Sequence, residues 1–79
     1  MATDLNERIA ANVRARLAGA GIAREDYYLG SGMSERTGAR RLTGKTSWTT
    51  DELAATARFL DVPLSALLTN VDETVRTAS

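Results

Sequence analysis

Apolar residues recur along this chain at helical spacing. Leu5, Ile9, Val13 and Leu17 fall four apart on one stripe, which predicts a first helix over Leu5 to Ala18, with Arg8, Arg14 and Arg16 off the stripe. Asp4 is its expected cap, Glu7 completes a capping-box pair, and Gly19 and Gly21 are the expected stop. A second helix is predicted from Arg24 to Gly30, its acids Glu25 and Asp26 at the positive end of the helix dipole. Gly30-Ser31-Gly32-Met33-Ser34 breaks the pattern. The third helix is expected to be capped by Ser34, to run to Thr43 and to stop at Gly44. Thr49-Thr50-Asp51-Glu52 opens the fourth: Thr49 caps, Glu52 reaches back, and Trp48 with Leu53 makes a hydrophobic staple. Leu53, Ala57 and Leu60 mark its buried face. Pro63 suits the first position of a short fifth helix through Leu68, with Leu64, Leu67 and Leu68 closing the core. Residues 70–79 are polar with Val71 and Val75 as anchors, and a frayed tail is expected there. The predicted class is all-α, one domain over residues 1–69 and a flexible tail over 70–79.

Composition narrows the chemistry. Seventy-nine residues allow one domain with a small core. The chain has no cysteine, so no disulfide or thiolate-bound metal is expected; it has no histidine, the commonest general base and zinc ligand. An enzyme, a metal site and a cofactor are therefore not expected. Apolar runs are too short for a membrane helix and no leader pattern is present, which makes the cytoplasm, at the nucleoid, the expected location. Net charge is zero, but its distribution is uneven. Arg36, Arg40, Arg41 and Lys45 lie together with no acid from 36 to 48, which leaves six bases against ten acids elsewhere.

The basic segment coincides with the third helix. A second helix, a glycine turn and a third helix make a helix-turn-helix, whose second member can enter the major groove. Reading bases there needs long donors on one side of that helix. Arg36 and Arg40 are four apart and share a face. Each can pair bidentately with guanine, at roughly 1–3 kcal/mol of discrimination. Glu35 can accept from cytosine, and Ala39 can touch a thymine methyl. Arg41, Lys45, Thr46 and Ser47 follow at the end of the helix and in the next loop, suited to phosphates.

Residues 22–68 resemble the Cro/phage-repressor (xenobiotic-response-element) family of helix-turn-helix domains. The resemblance rests on Gly32-Met33-Ser34, on Arg40-Arg41-Leu42-Thr43-Gly44-Lys45, on Ser47-Trp48-Thr49 and on Asp51-Glu52-Leu53. Ala57, Leu60, Val62 and Leu67 follow at the family's spacing. It implies a five-helix, lambda-repressor-like domain acting as a homodimer on a two-fold operator. It also implies base contacts from Glu35, Arg36 and Arg40, and a phosphate contact where Arg24 replaces the family's glutamine; Ser34 completes the expected backbone set. Four positions depart from the family. Ala23 stands at the usual Thr or Ser cap, Tyr28 at a small alanine, Gly38 at a branched apolar residue and Ser31 at a leucine. The Tyr28 ring is expected to fill the space that Gly38 vacates. Gly38 also costs the third helix about 0.5–1 kcal/mol against alanine, so partial softness is expected until DNA orders it.

Other residues have plainer explanations. Trp48 is expected to plug the core between helices three, four and five, and Tyr27 to be core as well. Arg41 has two open roles, a phosphate contact or an ion pair with Asp51 or Glu52 that ties the loop down. Gly44-Lys45-Thr46 lacks the upstream glycine and strand of a phosphate-binding loop. The expected function is a sequence-specific operator-binding regulator, a Cro-like or immunity repressor of phage type. Double-stranded DNA is the expected partner, no small-molecule ligand is expected, and the loop from Lys45 to Ser47 and the fourth helix's N-terminus would grip phosphates. Dimerisation would use the fifth helix, the Val71–Val75 tail or DNA itself. Two alternatives are an antitoxin of the same fold that binds a toxin and represses its own operon, and a helical protein-binding adaptor.

Overall fold

The structure, a computed structural model, describes residues 2–68, with side chains from Leu5 onward. It is all-α: α1 (Ala2–Ala20), α2 (Arg24–Ser31), α3 (Glu35–Thr43), α4 (Thr50–Leu60) and α5 (Leu64–Leu67), with no strand among the described residues. The tail with Val71 and Val75 lies outside them.

The core is built around α1. Ile9, Ala10, Val13 and Leu17 form its buried stripe, and Tyr27, Tyr28, Leu42, Trp48, Ala57 and Leu67 close over them. Leu5, the fourth member expected on that stripe, is exposed. Tyr27 is fully buried and its hydroxyl is 2.8 Å from Thr56 Oγ1, which satisfies both groups away from water. Tilted ring contacts at 5.7 Å join Tyr27 to Tyr28 and to Phe59. Trp48 is buried as expected.

Helix ends follow local chemistry where a capping residue is present. Ser34 Oγ accepts from the Thr37 amide at 3.1 Å, and α3 runs unbroken through Gly38. At α4 both halves of the capping box form, Glu52 N–H to Thr49 Oγ1 at 3.1 Å and Thr49 N–H to Glu52 Oε1 at 2.9 Å. Three helices end in the same left-handed arrangement, in which two successive amides turn back to carbonyls of the last turn. Ile22 bonds to Leu17 and Gly21 to Ala18; Met33 bonds to Tyr28 and Gly32 to Leu29; Val62 bonds to Ala57 and Asp61 to Arg58. Asp61 adopts the positive φ, 56°, without being glycine.

Several expectations are corrected. α1 is longer at both ends than Leu5 to Ala18, so Asp4 lies within the helix and not at its N-cap position. No residue between Ala2 and Asp4 breaks a helix, and the alanines around Gly19 carry it on to Gly21. α2 extends one residue further, to Ser31, whose hydroxyl donates to the Tyr27 carbonyl at 2.7 Å. Pro63 is the N-cap of α5 rather than its first helical residue, with an extended ψ of 152°, and α5 ends at Leu67 instead of Leu68. Its single turn offers one buried position, which Leu67 takes; Leu64 stays exposed and does not close the core.

Candidate nucleic-acid interface

The two faces of α3 differ completely. Gly38 and Leu42 point inward and are buried, while Glu35, Arg36, Arg40 and Thr43 are exposed and Ala39 is half-buried. Inward placement of Gly38 depends on α2. A Cβ on Gly38 would overlap the Tyr28 ring, so the bare backbone lets α3 close against the aromatic side chain. The expected exchange of volume between Tyr28 and Gly38 is therefore present. Gly30, on α2, meets the Phe59 ring in the same way, a contact sequence reasoning missed. At the other end of α3, Arg14 of α1 donates to the Leu42 carbonyl, a tether also missed. Residues far apart in sequence supply both contacts, and no local pattern signals them.

The exposed face holds Arg36 and Arg40, one turn or about 6 Å apart along the axis. Neither guanidinium has an ion-pair or hydrogen-bond partner among the described residues. Glu35 and Ala39 share the surface beside them. Arg24 opens α2 as an exposed residue after Ala23, which makes no side-chain cap.

The predicted phosphate contacts divide. Lys45 and Ser47 are exposed in the loop after α3. Lys45 donates its amide to Thr43 Oγ1 at 3.3 Å, and Ser47 Oγ accepts from Asn6 Nδ2 of α1 at 3.5 Å. Gly44 starts this loop at φ 80°, where a Cβ would come within 2.9 Å of Glu7 Cα, so both conformation and space demand glycine. Arg41 and Thr46 turn inward. Arg41 Nε donates to Glu52 Oε1 at 2.6 Å and its Nη1 donates to Thr46 Oγ1 at 2.7 Å, with 17% of the arginine side chain exposed. Of the two roles open to Arg41, the structure shows the ion pair with Glu52. Burial raises the Glu52 carboxyl, but hydrogen bonds from Arg41 and Thr49 together with the Arg41 charge outweigh it and hold the group below its ordinary value. Burial pushes the Tyr27 phenol up, against the hydrogen bond to Thr56.

The N-terminus of α4, expected to grip phosphates, carries its own cap. Its capping box already satisfies the Glu52 amide and places the Glu52 carboxylate at that end. Beside it lies a shallow groove of about 380 Å³ between the α2–α3 turn and α4, lined by Ser34, Thr37, Asp51 and Arg58 among others. Arg58 was not among the predicted residues. No described helix is long and apolar enough to cross a membrane. Compared with known proteins, the chain matches no family model, and no curated protein or solved structure matches it.

Proposed function

We propose that this chain is a helix-turn-helix DNA-binding protein that regulates transcription, a compact repressor of the phage type its sequence resembles. α2 and α3 are the paired helices and Gly32-Met33-Ser34 is the turn between them, of the length and glycine content such motifs use. α3 lies in the major groove with Arg36 and Arg40 on base edges, Glu35 and Ala39 beside them, while Lys45 and Ser47 hold phosphates and Arg24 approaches the backbone from α2. Two copies bind a two-fold operator, their half-sites about 34 Å apart. One observation carries this reading. On a helix rich in arginine, Arg41 is paired internally, whereas Arg36 and Arg40, which share the outer face, are left unpaired among the described residues.

Selection of bound fragments from a genomic library, followed by gel shifts on the selected duplex, tests it. The Arg36→Ala/Arg40→Ala variant is expected to lose sequence preference while keeping weak general binding. Lys45→Ala is expected to weaken all duplexes alike and to lower the salt slope by about one. Equal sequence preference in the double-arginine variant would refute the assignment of readout.

A further inference from the structure

We propose that Arg41 and Glu52 are positioning residues for DNA binding: through Thr46 their ion pair holds the loop that presents Lys45 and Ser47 to phosphates. This rests on the DNA-binding reading above and changes the part that Arg41 and Thr46 play in it. The guanidinium uses two of its nitrogens on internal acceptors, Glu52 Oε1 and Thr46 Oγ1. Thr46 is half-buried, and the residues on either side of it, Lys45 and Ser47, are exposed. Fixing the middle residue of three therefore limits the directions its neighbours can take.

The carboxylate serves both sides of the loop. Glu52 accepts from Arg41, at the end of α3, and from the Thr49 amide, where the loop enters α4. Arg41, in turn, keeps that carboxylate from standing as an uncompensated negative charge beside a phosphate-binding segment. From the far side, α1 presses Glu7 against Gly44 and offers Asn6 to Ser47. The loop is thus clamped between α1 and α4, and Arg41 is the side chain that reaches across its interior. A planar guanidinium can bridge two acceptors at once, which an ammonium point charge does less well.

Direct contact and positioning make opposite forecasts for Glu52. If Arg41 gripped a phosphate, removing the nearby acid would leave DNA binding unchanged or tighten it. If the pair positions the loop, Glu52→Gln weakens binding even though it removes a negative charge. The experiment measures affinity for a random-sequence duplex against salt, well below each variant's melting midpoint, together with backbone ¹⁵N relaxation of Lys45, Thr46 and Ser47. The expected result is a loss of roughly three- to tenfold for Glu52→Gln and for Arg41→Met, the size of one partly exposed charge-assisted contact. The Arg41→Met/Glu52→Gln double variant, whose net charge equals that of the parent, should bind no worse than Arg41→Met alone and keep the parent's salt slope. Arg41→Lys should also weaken binding, and the three loop amides should gain fast motion in every variant.

Unchanged or tighter binding by Glu52→Gln overturns the proposal. So does a salt slope lower by about one in the double variant, which would make Arg41 a phosphate ligand. A drop in melting temperature with unaltered affinity and unaltered loop amides would reduce the pair to a structural tie and overturn it as well. A parent chain that holds no duplex at any salt would remove the DNA-binding reading and this role with it. The relaxation data would still show whether the pair fixes the loop, which separates the two failures.

Discussion

The Tyr28 ring lies over Gly38 at a point where one methyl group would not fit. Helix propensity alone would favour alanine at 38 by up to about 1 kcal/mol. Overpacking a closed contact costs about 1–3 kcal/mol, so the overlap decides the sign. Gly38→Ala is expected to lower stability in the parent chain, and in a Tyr28→Leu background the same change should be neutral or stabilising. Urea melts of the four proteins check this, and a Gly38→Ala variant more stable than the parent would show that the ring yields. This pairing was legible only through the resemblance, whose pattern has a small residue where Tyr28 stands and a branched one where Gly38 stands. Gly30 against Phe59 rests on the same physics but was hidden, since a glycine near a helix end already has a local explanation.

Helix by helix, legibility follows the range of the interactions that set each boundary. Ser34, and Thr49 with Glu52, announce two helix starts because a cap and its amide lie within three residues. The start of α1 was misplaced at Leu5 for the opposite reason: a plausible cap such as Asp4 competes with helix continuation, and local pattern does not rank them. Pro63 and Leu64 were misplaced because one turn of helix cannot bury every apolar residue it contains. Most of the candidate site was legible as a face of α3, whereas the internal engagement of Arg41 depended on which way α4 approaches. That approach has a measurable consequence through Glu52. Its carboxyl is held below its ordinary value in the folded chain, so the unfolded state binds more protons in that range. The stabilisation is fully present above that ordinary value and is lost as pH falls from there through the lowered folded value. Thermal melts against pH should show the parent losing stability more steeply than Glu52→Gln across this acidic window. Parallel curves would mean that the Arg41–Glu52 pair adds nothing to the fold.

Across the whole molecule, a neutral total conceals the separation of a basic segment from an acidic remainder. Long-range attraction to DNA is weak for such a chain, so binding of the proposed kind would depend on presenting the right face at close range, where salt screens least. The described helices are joined by linkers of three residues at 21–23, 32–34 and 61–63 and by the clamped loop at 44–49. Little slack remains for one helix to move without the others. The single tryptophan, Trp48, sits in the core, and its indole N–H has no hydrogen-bond partner among the described residues. It is therefore a native optical gauge of the fold: its emission should lie toward the blue, and in urea it should shift red along the same curve as far-ultraviolet ellipticity. Two separated curves would mean that the helices let go in stages. Because the ring lies inside rather than on the outer face of α3, duplex DNA should leave its colour unchanged, so a red shift seen with duplex present would report unfolding and not binding.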